Sequence, residues 1–293
     1  MKTTVFAVIG GDVRYVRCAD FFCSLGAEVR TFGFDPQVAF DEQVITADSL
    51  ACAIQGADYI LLPLPVSVEK GLVNTPLYQG TISLNSVSEL ISHDQVVFGG
   101  KMDNTFLDAI RQKGVLCHDY TEYEDFSVLN AIPTAEGALE IAMRELPVTL
   151  HGASCLVIGF GRIAKVLCHN LLALGAHVTA AARKQSDRTW MQTFGYIPIH
   201  TKDLQNHIGS FQLIINTAPV PLLTRDVLSH INKEALIIDL ASRPGGVDFE
   251  SAEKLGIKVI WALSLPGKVA PRTAGDIICK TILNIINDSE VKV

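Results

Sequence analysis

The run Leu156-Val157-Ile158-Gly159-Phe160-Gly161-Arg162-Ile163-Ala164 is the stretch best suited to chemistry. An apolar, strand-like segment leads into two glycines one residue apart, with a small residue three positions further on. Each small residue meets a separate demand. Gly159 permits a tight strand-to-helix turn, Gly161 leaves room for a pyrophosphate, and Ala164 lets helix and strand approach closely. A helix starting near Arg162 offers N–H donors and the positive end of its dipole to phosphates. Gly159, Phe160, Gly161, Arg162 and Ile163 are therefore the expected dinucleotide contacts; close packing of helix on strand would use the same glycines. Cofactor choice is read where the next strand ends, at Ala182-Arg183-Lys184. A carboxylate there would hold a ribose 2′-hydroxyl, and none is present. Arg183 and Lys184 suit a 2′-phosphate, which favours NADP(H) over NAD(H), unless they are simply a solvated pair. Thr217, Ala218 and Pro219 follow another strand and are expected beside the nicotinamide ribose, or else form a proline-set turn.

Further polar residues sit where a carboxylate ligand would be met. Ser242, Arg243 and Gly245 lie just past an apolar strand, where ligand crevices of α/β sheets form. Arg243 is the principal carboxylate candidate, or an anchor for its glycine-rich loop. In Gly10-Gly11-Asp12-Val13-Arg14, Asp12 would repel a pyrophosphate. Arg14 then either clamps a carboxylate bidentately or pairs with Asp12. Lys101, after Gly99-Gly100, is a weaker charge partner. Ser67 either lines a cleft or caps a helix. Thr134 and Glu136 are expected to open a helix after Pro133, where Thr134 and nearby amides bind a carboxylate or act as an ordinary cap. His118 and His151 belong to no nucleophile or metal motif, and no H-E-x-x-H, G-x-S-x-G or P-loop occurs. No general base is assigned and no metal is expected.

These residues need a framework of alternating strands and helices. Strands are expected at Val5–Ile9, Glu28–Phe32, Tyr59–Leu62, Gln95–Phe98 and Val115–His118. A fresh series follows at Ser154–Ile158, His177–Ala182, Leu213–Asn216, Leu236–Leu240 and Lys258–Ala262. The fold class is α/β with two domains: a C-terminal Rossmann, doubly wound parallel sheet and an N-terminal flavodoxin- or Rossmann-like domain. The expected boundaries are 1–130 (substrate domain), 131–149 (connecting helix, Ala135–Arg144 at its centre), 150–270 (NADP-binding domain) and 271–293 (C-terminal helix). Thr273–Ile286 has an isoleucine-rich face that would pack back on the first domain.

Composition narrows the class. Hydrophobic residues are 48% and charged residues 19% of 293, enough for sizeable cores and unlike a disordered chain. The net charge of −7 and the lack of a basic stripe give no footing for nucleic acid or an anionic membrane. The opening apolar run reads as a strand rather than a signal peptide, and no apolar stretch reaches membrane-spanning length, so a cytoplasmic location is expected. Seven scattered cysteines without a C-x-x-C pair read as reduced thiols.

Three more stretches carry a resemblance: Asn130-Ala131-Ile132-Pro133-Thr134-Ala135-Glu136-Gly137, Asp239-Leu240-Ala241-Ser242-Arg243-Pro244-Gly245-Gly246-Val247-Asp248, and Leu265-Pro266-Gly267-Lys268-Val269-Ala270-Pro271-Arg272-Thr273-Ala274-Gly275. Together with Val8-Ile9-Gly10-Gly11-Asp12 they resemble the A-subunit family of dipicolinate synthase from endospore-forming bacteria, from the first strand to the last helix. The resemblance implies oxidation of dihydrodipicolinate to dipicolinate on a branch of the lysine pathway, with NADP as hydride acceptor. It also implies a partner, the flavoprotein-like B-subunit of dipicolinate synthase, and work in the mother-cell cytoplasm. Two other readings stay open: a different two-domain NAD(P)-dependent dehydrogenase of a small carboxylic acid, and a regulatory subunit that senses dinucleotides. Each is compatible with a homo-oligomer.

Overall fold

The computed structural model describes residues 3–290. In chain order the strands are β1 (Val5–Ile9), β2 (Glu28–Phe32), β3 (Ile45–Thr46), β4 (Tyr59–Leu61), β5 (Val96–Gly99), β6 (Leu116–Asp119), β7 (Ser154–Ile158), β8 (His177–Ala182), β9 (Ile197–His200), β10 (Leu213–Asn216), β11 (Leu236–Asp239) and β12 (Lys258–Trp261). The helices are α1 (Val13–Ser24), α2 (Leu50–Ile54), α3 (Leu84–Leu90), α4 (Asn104–Gln112), α5 (Glu124–Glu145), α6 (Arg162–Ala173), α7 (Gln185–Thr193), α8 (Leu204–His207), α9 (Arg225–Leu228), α10 (Phe249–Leu255), α11 (Leu265–Val269) and α12 (Pro271–Glu290). The chain divides into two compact units: residues up to Leu129 together with the segment from Ala270, and Asn130–Val269.

In the first unit six parallel strands run in the order β3-β2-β1-β4-β5-β6. β1 is buried along its whole length, as a central strand covered on both faces must be. Its residues alternate between two cores. Val5, Ala7 and Ile9 join Ile60, Leu62 and Val97 on one face, while Phe6 and Val8 join Val29, Leu61 and Phe98 on the other. The second core is sealed by two helices. α1 buries Tyr15, Cys18, Ala19, Phe22 and Cys23, a helical stripe, and α12 adds Ile277, Ile278, Ile282 and Ile285. Gly275 makes this packing close, because a Cβ there would lie 2.8 Å from the Arg14 carbonyl. Arg17 Nε meets Asp276 Oδ1 at 2.7 Å beside it.

The second unit repeats the plan with order β12-β11-β10-β7-β8-β9. Numbered within each unit, both sheets read 3-2-1-4-5-6, the doubly wound order whose direction of winding reverses between the first and fourth strands. Cys155, Val157, Leu213 and Ile215 face one core and Leu156, Ile158 and Ile214 the other.

The structure departs from the sequence reading in a few elements. Strands β3 and β9 have no counterpart in that reading; both lie at sheet edges. α12 starts at Pro271 and runs to Glu290, past the expected Ile286; residues 291–293 of the expected helix lie outside the described residues. α5 begins at Glu124, with Glu124 and Asp125 in its first turn, and carries Pro133 inside it. Proline removes an amide donor but does not end this helix. Just beyond it the Thr134 hydroxyl donates to the Asn130 carbonyl at 2.7 Å, a side-chain bond back along the helix. Thr134 and Glu136 therefore sit within a helix rather than opening one: Thr134 is buried with its hydroxyl committed, and Glu136 is exposed.

Candidate active site

At the reversal point of the second sheet, β7 ends and the chain turns through Gly159 into α6. Gly159 has φ +104°, and its N–H donates to the Ala181 carbonyl at 2.9 Å. A Cβ there would lie 2.3 Å from Thr217 Oγ1, so only glycine fits. Phe160 turns its ring into the core, under Tyr196 and with Lys165 Nζ 5.7 Å from its centre. Gly161 is the N-cap of α6, with extended backbone and no side-chain cap. A Cβ on Gly161 would meet nothing within 4 Å. Arg162 and Ile163 form the first turn, and Ala164 is fully buried against the sheet. The start of a 12-residue helix thus faces open space, the arrangement that receives a phosphate.

The sister position in the first unit is closed. Gly10 and Gly11 both have positive φ (66° and 107°), but the Gly11 N–H donates to the Asn74 carbonyl at 3.0 Å. A Cβ on Gly10 would press on Thr75 Cγ2 at 2.7 Å. Asp12 caps α1, accepting the Arg14 N–H at 3.0 Å. The Arg14 guanidinium grips the same carboxylate through Nε (2.9 and 3.1 Å) and Nη2 (2.8 Å), and Nη2 also donates to the Leu64 carbonyl at 2.7 Å. Burial works against the Arg14 charge, but the Asp12 hydrogen bond and the neighbouring fields outweigh it and raise its pKa. The donors and dipole left open at the start of α6 are here satisfied by the chain itself. Beneath Arg14 the buried Tyr15 and Tyr120 hydroxyls meet at 2.5 Å, and burial pushes both phenols up.

The remaining expected contacts fall into groups. Arg183 and Lys184 stand exposed where β8 ends, without side-chain partners among the described residues. Arg188, which sequence reasoning missed, closes this turn: its Nη1 donates to the carbonyls of Ala182 (3.1 Å) and Arg183 (2.7 Å) and its Nη2 to Gln185 Oε1 (2.5 Å). Thr217 follows β10, its N–H and its hydroxyl both donating to the Ile158 carbonyl at 2.9 Å; Ala218 is half-buried and Pro219 exposed. Ser242 and Arg243 are exposed after β11, Gly245 is buried with φ +88°, and the Arg243 guanidinium lies 5.6 Å from the Trp261 ring centre. All of these residues share the carboxyl edge of one sheet. Arg14, Ser67 and Lys101 gather at the carboxyl edge of the other. No helix follows Ser67, so it caps none; its hydroxyl instead closes a turn on the Glu69 carbonyl at 2.5 Å. Lys101 is exposed and has φ 53°, an unusual backbone for a residue with a side chain. Nearby, His118 stacks on Phe98 and joins Tyr123 through Nδ1 at 2.8 Å, and burial lowers its pKa.

Sequence reasoning also missed Asn216 and Asp239, the last residues of β10 and β11. Register pairs them, and both are fully buried. Asn216 Nδ2 donates to Asp239 Oδ1 (2.8 Å) and to the Ala218 carbonyl (3.0 Å), while its Oδ1 accepts the Ala218 N–H (3.2 Å). Asp239 further accepts the N–H groups of Ala241 (3.0 Å) and Gly246 (2.9 Å). The signal was available: each strand is an apolar triplet that ends in one polar residue.

Comparison with known proteins agrees with this geometry. Residues 5–121 match the N-terminal domain of the dipicolinate synthase A-subunit, and residues 146–251 match a putative NAD(P)-binding domain. The A-subunit of dipicolinate synthase from Bacillus subtilis (strain 168) is 33% identical over 290 residues, 98% of this chain and 97% of that protein. The crystal structure of the Bacillus subtilis protein superposes with a TM-score of 0.90 at 31% identity, covering 100% of this chain and 99% of that one. The A-subunit from Bacillus halodurans gives 0.88 at 31%, over 97% and 98%. With an open dinucleotide cradle in the second unit and near-complete overlap with these relatives, the chain belongs to the A-subunit family of dipicolinate synthase.

Proposed function

We propose that this chain oxidises dihydrodipicolinate to dipicolinate with NADP as the hydride acceptor. Membership of the dipicolinate synthase A-subunit family supports the choice of reaction. The observation that carries the cofactor half is the uncapped start of α6 behind Gly161, set against the self-capped start of α1. Gly159, Phe160 and Gly161, with the first turn of α6, hold the pyrophosphate. Arg183 and Lys184 receive the 2′-phosphate, supported by their exposure and by the lack of a carboxylate at the end of β8. Thr217–Pro219 flank the nicotinamide ribose. Ser242, Arg243 and Gly245 bind a substrate carboxylate, and Arg243 supplies the charge. Taken by itself, the first unit offers Arg14, whose Nη1 makes no hydrogen bond among the described residues, and Lys101 as cations suited to a carboxylate.

The reaction takes one hydride and one proton from the dihydropyridine ring. A bound dinucleotide would supply the hydride acceptor, and the proton would leave to water or a nearby base. Aromatisation favours the products, so the residues here mainly bind, orient and neutralise charge. The flavoprotein-like B-subunit is the partner, and the mother-cell cytoplasm is the site of action. Among the described residues no helix is long and apolar enough to cross a membrane.

The test is absorbance at about 340 nm, where reduced nicotinamide absorbs, with NADP or NAD and freshly generated dihydrodipicolinate, with and without the B-subunit. NADPH formation that requires this chain supports the reading. Turnover by the B-subunit alone, or faster turnover with NAD, contradicts it.

A further inference from the structure

Asn216 and Asp239 are buried polar groups that the proposed function leaves without a role. Three N–H donors, from Asn216, Ala241 and Gly246, converge on the two oxygens of Asp239. An amide in its place would turn its own N–H₂ toward at least one of them, leaving buried donors face to face. Asn216 in turn uses both ends of its amide on Ala218 and Asp239. The two side chains thus tie the Thr217–Pro219 loop to the Ala241–Gly246 loop. The surroundings leave no slack. A Cβ on Gly246 would lie 2.3 Å from Asn216 Nδ2, and one on Gly245 would lie 2.8 Å from Asp239 Oδ2. Leu223 N–H also donates to the Gly246 carbonyl at 3.0 Å, and Trp261 Nε1 to the Ala241 carbonyl at 2.9 Å.

We propose that Asn216 and Asp239 are positioning residues that set the spacing between the loop flanking the nicotinamide and the loop carrying Ser242 and Arg243. The proposal rests on the assignment of those loops above. The pair lies at the ends of β10 and β11, whereas the pyrophosphate and 2′-phosphate contacts lie after β7 and β8. Loosening it therefore disturbs the nicotinamide half of the ligand and spares the phosphate half.

The test uses two probes on the full chain and on Asp239→Asn and Asn216→Ala. One is 2′-phospho-ADP-ribose, which lacks nicotinamide, followed by calorimetry. The other is NADPH, whose nicotinamide fluorescence rises when the ring is held in a site. The expected result is affinity for 2′-phospho-ADP-ribose within about threefold of wild type in both variants, with at least half of the NADPH fluorescence enhancement lost. Full enhancement in both variants overturns the proposal. Loss of 2′-phospho-ADP-ribose binding in both also overturns it, because the pair then merely holds the sheet together. Failure of wild type to bind either probe is a different result: it removes the dinucleotide assignment itself.

Discussion

Substituting Gly161 by alanine separates folding from cofactor binding more cleanly than any other single change. The backbone at Gly161 has φ −81° and ψ −166°, open to any L-residue, and a Cβ there meets no atom within 4 Å. Alanine is a poorer N-cap by about 0.5–1 kcal/mol, and the stiffer unfolded chain returns about 0.4–1 kcal/mol. The two nearly cancel, so the melting temperature should stay within about 4 °C of wild type. Binding is another matter, because the second glycine of such a turn is where a pyrophosphate comes close to the backbone, and a methyl there would stand in its way. If it holds the pyrophosphate away from two charge-assisted bonds at about 1.5 kcal/mol each, affinity falls roughly a hundredfold. Gly159→Ala is the contrasting control. Its φ of +104° and the 2.3 Å approach to Thr217 Oγ1 make that substitution costly to folding as well. Calorimetric titration with NADP beside thermal melts of both variants gives the answer. NADP binding to Gly161→Ala within threefold of wild type would refute the placement of the phosphates at this helix.

Three further outcomes follow from other parts of the structure. Removing Arg183 and Lys184 together should weaken NADP about ten- to a hundredfold and leave NAD within about threefold, read from the two dissociation constants; equal losses would deny them the 2′-phosphate. Burial pushes the thiols of Cys117, Cys155 and Cys168 up to about 12, so they stay protonated near neutral pH, whereas Cys52 is exposed. A thiol reagent followed by peptide mass spectrometry should therefore mark Cys52 well before those three, and simultaneous labelling of Cys155 would contradict their burial. Burial also lowers the pKa of His118, so the unfolded chain takes up a proton that the folded chain resists. That contribution is complete above about pH 6.5 and is lost as pH falls through the folded value, so His118→Gln should lose fewer degrees of melting temperature than wild type between about pH 7.5 and about pH 5.

Much of this architecture can be read from local pattern. The buried strand β1 is a continuous apolar run, β7, β10 and β11 are apolar runs with one polar residue at an end, and the spacing of Gly159-Phe160-Gly161 marks a strand-to-helix turn. The edges are less legible. β3 has only two residues, and β9 contains Pro198 with Ile197 exposed, so neither shows the signature of a covered strand. Pro133 misdirects the reading of α5 because local rules treat an interior proline as a break, whereas tertiary packing of Ala135, Ala138, Leu139 and Ala142 holds the helix through it. Residues that act through another strand are hidden for a different reason. Asp239 meets Asn216 only once β10 and β11 are in register, and Arg14 reaches the Leu64 carbonyl only once the loop after β4 is brought beside it. Sequence separation, not ambiguity of residue type, conceals them.

The central claim is that two sheets of the same winding order differ at their first helix: the helix start after β7 is open and the one after β1 is filled by its own chain. Equilibrium titration of the purified chain with NADP tests this most directly. The account predicts one site per chain, abolished or greatly weakened by Gly161→Ala and indifferent to Asp12→Asn. Two sites per chain, or a single site lost with Asp12 rather than with Gly161, would contradict it.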